Sequence, residues 1–250
     1  MQRIAQLVLA TSAMITISVS SALAACTPTG FFRDNNTTEM TAALVNPGAL
    51  APGTVVDAAG CHIGIYFTAN GSVSGATVYG ASYFGVVVNG DGGAVNVDVK
   101  DSTIHDIGES PFNGTQHGVA IYYRAFGANA AAFGDVADNI VYAYQKGGIV
   151  ANGAGSVVNT LGNSVTGLGP VDFIAQNGIQ YGFGSFGTSR GNEISGNFYT
   201  GTVGVGPNSG GQNPPGWQYF SAGLLLYQPG VVKHSKNTYA DNQRNVAMVP

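Results

Sequence analysis

Two short patterns alternate along this chain from Val55 onward, and together they restrict it to a coiled repeat. One is a small or turn residue, often Asn, then any residue, then a β-branched or bulky one. It occurs at Ala76-Thr77-Val78, Ser102-Thr103-Ile104, Asn139-Ile140-Val141, Asn163-Ser164-Val165, Asn192-Glu193-Ile194 and Asn237-Thr238-Tyr239. The other is a turn residue leading into an apolar strand: Gly85-Val86, Gly118-Val119, Gly148-Ile149, Gly178-Ile179, Gly223-Leu224 and Asn245-Val246. Self-similarity at a period of about twenty to thirty residues marks a solenoid, whose repeats bury their apolar faces only against one another.

The physics of a coil accounts for both patterns. Each rung bends sharply where strands meet, and Gly or Asn takes positive φ there at little steric cost. Asparagines at one rung position can hydrogen-bond up the axis as an amide ladder. The bulky residue two places on enters the core, and Val95, Val97 and Val99 alternate with Asn96, Asp98 and Lys100 as in a half-buried strand. Val97, Val99, Val119, Ile121, Ile149 and Ile179 are the expected core. Gly is the commonest residue at 38 of 250, without the three-residue period of collagen, and 44% hydrophobic content excludes a disordered chain.

On these repeats, from about Val55 to Val249, the chain resembles the right-handed parallel β-helix repeat proteins, the superfamily of pectate lyases and polygalacturonases. The resemblance implies an all-β fold, a single-stranded right-handed parallel β-helix over 55–250. It implies function only as a range, from lyases, hydrolases and epimerases to inactive surface proteins, and no catalytic motif of the lyases or polygalacturonases matches position by position.

Ahead of the coil, residues 1–24 read as an export signal, with Arg3, an apolar stretch from Ile4 to Val19, and small residues at Ala22-Leu23-Ala24. The expected destination is periplasmic or extracellular. Leu23-Ala24-Ala25-Cys26 resembles a lipobox, which would make Cys26 a lipid anchor; cleavage after Ala24 would instead leave Cys26 to pair with Cys61. Within the cap region, 25–54, Asn36-Thr37-Thr38-Glu39 reads as a capping box opening a short helix to about Val45. Such a helix would cover the first rung, as open solenoid ends require.

Function is expected where the insertions fall. The segments from Ile104 to Gly118, Val165 to Gly178 and Ile194 to Gly223 are long and share one corner of the coil. With Tyr142 to Gly147 as floor, this corner would gather His105, Asp106, Glu109, His117, Lys146 and Asp172 for acid-base chemistry. Tyr122, Arg124, Tyr142, Tyr144, Gln176, Trp217 and Tyr219 would bind substrate through stacking and polar contacts. A second candidate is the stacked pair Asp98 and Asp135, whose repulsion a Ca²⁺ ion would relieve; otherwise no cofactor is expected. The outward column Val87, Ala120, Val150, Gln180, Leu225, Ala247 is too apolar to stay bare, and a loop, tail or partner should cover it.

The formal charge is −4, and the sequence holds no Lys/Arg cluster, which argues against nucleic acid and predicts long-range repulsion of polyanionic sugars. The leading expectation is extracytoplasmic carbohydrate binding or polysaccharide processing, by lyase or hydrolase chemistry if catalytic. The alternative is a non-catalytic envelope or surface protein using the coil as a rigid wall; its support is the scarcity of charged residues.

Overall fold

A computed structural model describes residues 25–34, 36–201 and 219–250. The expected export signal and Trp217 lie outside the described residues. Within them every element is a β-strand, arranged in three sheets. Sheet A stacks, in order, Thr27–Arg33, Thr38–Val45, Ile63–Phe67, Phe84–Asn89, Val119–Arg124, Gly147–Asn152, Asn177–Gly182, Ala222–Tyr227 and Val246–Val249. Sheet B runs from Gly71–Ser74 to Val232–Ser235, and sheet C from Val55–Asp57 to Thr238–Ala240. From Ile63 on, the chain visits A, B and C in turn, and all of these pairings are parallel, a β-solenoid-like fold.

The bulky residues of the first pattern form one continuous column of sheet C. Val56, Val78, Ile104, Val141, Val165, Ile194 and Tyr239 stand in register, and Val78, Ile104, Val141 and Val165 are fully buried. The glycines of the second pattern belong to the same packing contact. A Cβ on Gly85 would lie 2.8 Å from the Ile104 side chain, one on Gly148 2.5 Å from Val165, and one on Gly178 2.4 Å from Ile194. Each glycine is therefore the space that the next bulky residue fills.

The amide ladder is present. Asn139 Nδ2 donates to Asn163 Oδ1 at 2.9 Å, Asn163 Nδ2 to Asn192 Oδ1 at 2.9 Å, and Asn192 Nδ2 to Asn237 Oδ1 at 3.0 Å. Preceding residues Asp101, Asp138 and Lys236 hold positive φ, the bend each rung needs.

Two expectations are corrected. No helix covers the first rung. Thr27–Arg33 and Thr38–Val45 form an antiparallel hairpin instead, with Asp34 and Asn36 at positive φ in its turn and Thr37 N donating to the Asp34 carbonyl. The residue types of a capping box also make tight turns, and a strand here gains ladder bonds to Ile63–Phe67 that a helix would forgo. The Cys26–Cys61 disulfide, with Cα atoms 5.5 Å apart, fastens the hairpin to the coil. That pairing leaves no thiol at Cys26 for a lipid.

The second correction is a register slip. Gly118 does not mark its strand as Gly85 does; Ala120 occupies that register, and Val119 pairs with Phe84 and Gly147. Val119 is buried, as are the other expected core residues, but it packs in the outer cluster with Phe31, Phe84 and Val87. The outward column therefore reads Val87, Tyr122, Val150, Gln180, Leu225, Ala247, with Tyr122 where Ala120 was expected.

Candidate functional site

That outward column is partly covered and partly the floor of a groove. At its N-terminal end the hairpin folds over it: the Phe31 ring stacks on Tyr66 at 5.8 Å and lies 6.4 Å from Phe84, leaving Val87 fully buried. Further along, the outer face of sheet A opens into two adjoining compartments of about 550 Å³ and about 300 Å³ that share Gln116, Lys146, Gln180 and Phe183. The smaller one has Tyr122 and Val150 in its floor and Arg33 and Arg124 in its walls. The larger one continues over Gln180 and Leu225 to Arg244 and Val249.

The two rims differ in chemistry. The turns from sheet A to sheet B supply an aromatic rail in which Phe126 lies 6.0 Å from Phe183, and Phe183 lies 5.1 Å from Tyr227. Phe126 and Phe183 are exposed. The long-loop corner supplies the other rim: Gln116, Lys146 and Ala175, then Tyr219 and Phe220. The insertions thus border the groove, but its floor is the face of sheet A and not the Tyr142 to Gly147 turn.

Arg33, Arg124, Lys146 and Arg244, four of the chain's nine Lys and Arg, line this groove. Arg124 Nε donates to Asp91 Oδ2 at 2.6 Å, and its guanidinium sits 4.8 Å above Phe126 and 5.5 Å from Phe31. Arg244 lies 3.8 Å over the Phe220 ring, and Arg33 lies 5.5 Å over Phe84. Stacked guanidinium groups keep their donor edges free for carboxylates. Lys146 Nζ donates to the Ala175 carbonyl at 2.8 Å, and desolvation lowers its pKa to about 8. Cations widely spaced in the sequence thus converge on one groove when rungs stack, within a chain whose net charge is −4.

Of the residues singled out from the sequence, the groove brings together Tyr122, Arg124, Lys146 and Tyr219. The others among the described residues lie elsewhere. His105 is sandwiched between Tyr79 at 5.3 Å and Tyr142 at 4.9 Å on the outer face of sheet C, with Nδ1 2.6 Å from Asp106 Oδ2. His117 is buried against the Tyr83 ring at 3.7 Å, and its Nε2 lies 2.7 Å from Glu109 Oε1. Neither pair lines the groove. Tyr144 is fully buried and donates to Asn197 Oδ1 at 2.7 Å, so it cannot meet a substrate. Gln176, also fully buried, accepts from Leu168 N and donates to the Tyr144 carbonyl, which makes it a brace for the Val165 to Gly178 loop. Asp172 is exposed on that loop.

Asp98 and Asp135 stack as expected, but Lys100 already lies between them, its Nζ 2.8 Å from Asp98 Oδ2 and 3.6 Å from Asp135 Oδ2. Asp98 also accepts from Asp135 N, and these contacts hold its pKa down although burial opposes them. The ammonium offsets one of the two carboxylate charges. Among the described residues no group of three or more His, Cys, Asp or Glu is arranged to hold a metal.

Arg33, Gln116, Phe126, Phe183 and Arg244 were not legible as site residues. One signal was available: Phe126 and Phe183 fall within two residues past the end of a sheet A strand, where the chain turns toward sheet B and an aromatic has no place in the core.

No protein-family model and no curated protein matches the chain. Among solved structures, an alginate lyase from Paenibacillus sp. str. FPU-7 is similar over 84% of this chain and 72% of that one, at 13% identity and a TM-score of 0.38.

Proposed function

We propose that the chain is an exported binding protein for an anionic polysaccharide, a polyuronate, held along the outer face of sheet A. The observation that carries this reading is the groove itself, with four cations inside it and an aromatic rail along one rim. Sugar rings present apolar faces to aromatics and uronate carboxylates present paired oxygens to guanidinium groups, so one ligand class uses both. The strand spacing of about 4.8 Å is close to the length of one sugar ring, so successive rungs can address successive residues.

In this reading the coil of 55–250 is right-handed, as crossovers between parallel strands almost always are. The chain works in an oxidising compartment, periplasmic or extracellular, and the Cys26–Cys61 bond supports that over a lipid anchor.

Processing is a second reading, and Lys146 favours it. An amine with a pKa of about 8 is partly neutral near that pH and can take a proton from the carbon beside a uronate carboxylate. In a β-elimination the C4–O bond then breaks, a C4=C5 double bond forms, and the leaving oxygen recovers a proton from solvent.

Calorimetry with polygalacturonate, alginate and neutral dextran tests the proposal. Binding of the uronates alone, weakened at least about tenfold in an Arg124→Ala/Arg244→Ala variant, is expected. Equal affinity for dextran, or an unaltered affinity in the variant, would overturn it. Appearance of the ultraviolet absorbance of an unsaturated uronate separates processing from binding.

A further inference from the structure

The groove is asymmetric at its ends. Toward the C-terminal rungs it runs out past Arg244 and Val249. Toward the N-terminal rungs it stops at Arg33 and Phe84, because the hairpin lies across the face of sheet A. That wall is fastened from several sides. Cys26 is bonded to Cys61, the Tyr83 hydroxyl donates to Asp34 at 2.9 Å, and Phe31 is held between Tyr66 and the Arg124 guanidinium.

The two guanidinium groups in this closed compartment are not equivalent. Arg124 has its carboxylate partner in Asp91. Arg33 makes no ion pair among the described residues, and its Nε is buried without a hydrogen-bond partner there. Arg33 as a whole is only partly buried and lines the compartment, so an anion that enters there meets a cation with no carboxylate partner among the described residues.

We infer that the closed compartment is a terminal subsite: it takes the end residue of a uronate chain, with that residue's carboxylate on Arg33. The inference rests on the polyuronate reading of the groove. An internal segment would have to continue through the hairpin, whereas a chain end needs only to stop against it. Arg33 is then the specificity-determining residue, and the remaining sugars extend toward Lys146 and Arg244.

The test compares a uronate hexamer with a long polymer of the same linkage, at equal molar concentrations of chains. With the unaltered protein, the expected result is one protein molecule per chain and equal affinity for both probes. Arg33→Ala is expected to weaken hexamer binding by about tenfold or more, with Arg33→Lys recovering part of the loss. Several protein molecules per polymer chain, with affinity rising with length, would overturn the terminal subsite while leaving the groove intact. So would an Arg33→Ala variant that folds and binds the hexamer as the wild type does. Failure of the unaltered protein to bind either probe overturns the polyuronate reading and the subsite with it. The stoichiometry needs no variant, so it decides the matter even if Arg33→Ala does not fold.

Discussion

Lys146 and Ala175 meet at the middle of the groove, the ammonium donating to the carbonyl of the neighbouring loop at 2.8 Å. One backbone acceptor is little compensation for a desolvated charge, which is why the pKa falls to about 8 from the usual 10.5. Below that pH the amine carries charge into a site for anions.

Uronate affinity should therefore decline as pH rises through about 8, with the midpoint displaced upward when ligand is bound, because the anion favours the charged amine. Stability should move the opposite way. The folded pKa lies below the unfolded one, so between about 8 and 10.5 the unfolded chain binds more protons, and stability rises with pH across that window. Paired titrations of affinity and melting temperature check both signs, and Lys146→Met should flatten both profiles.

Asn163→Ala should be among the most damaging substitutions in the coil. Its amide accepts from Asn139 N and Nδ2 and donates to Asn192 Oδ1 and the Val136 carbonyl, all in the dry interior. Removing it strands several buried polar groups, with a loss on the order of 3 kcal/mol. Denaturant unfolding measures this directly, and a loss under about 1 kcal/mol would show that the ladder carries little of the stability.

The Cys26–Cys61 bond closes a 35-residue separation. Chain entropy alone makes a Cys26→Ser/Cys61→Ser pair less stable by roughly 3–4 kcal/mol. Mass analysis of the unreduced protein should find no free thiol, and chemical denaturation of the double variant should show the loss.

Glu109→Gln and His105→Ala should leave uronate affinity within about twofold of wild type, since a contact outside the site contributes little to binding. The Glu109–His117 pair ties the Ile104 to Gly118 loop to the Tyr83 ring, so its loss should instead appear as a lower melting temperature. A collapse of affinity with unchanged melting would restore these residues to a catalytic or binding role.

The coil was legible because its signals are local and repeated. Val78, Ile104, Val141 and Val165 follow their turn residues at a constant offset, and the asparagines do the same. The groove was not, because Arg33, Arg124, Lys146 and Arg244 come from four separate strand ends and turns and converge only through stacking. A two-residue slip at Gly118 then hid the position of Tyr122 in the floor. Gly118 earned its place for another reason: at φ 87° its missing Cβ leaves room for Gln145, which braces the Ile104 to Gly118 loop. The histidines drew attention as titratable groups in long loops, yet each was already stacked on tyrosine, a contact between residues far apart in sequence that spacing does not reveal.

The glycine and bulky residue that fit together belong to the sheet A and sheet C strands of one rung, with a sheet B strand between them in the chain, Gly148 with Val165 and Gly178 with Ile194. A rung cut between sheets A and B, or between B and C, would part these partners and set each against a residue from another rung at the new joint. Duplication or grafting should succeed only when the excised block begins just before the glycine and ends after the following bulky residue. The unit by which such a coil can grow or shrink is thus a packing pair, and of the three turns in a rung only the one from sheet C to sheet A leaves that pair whole.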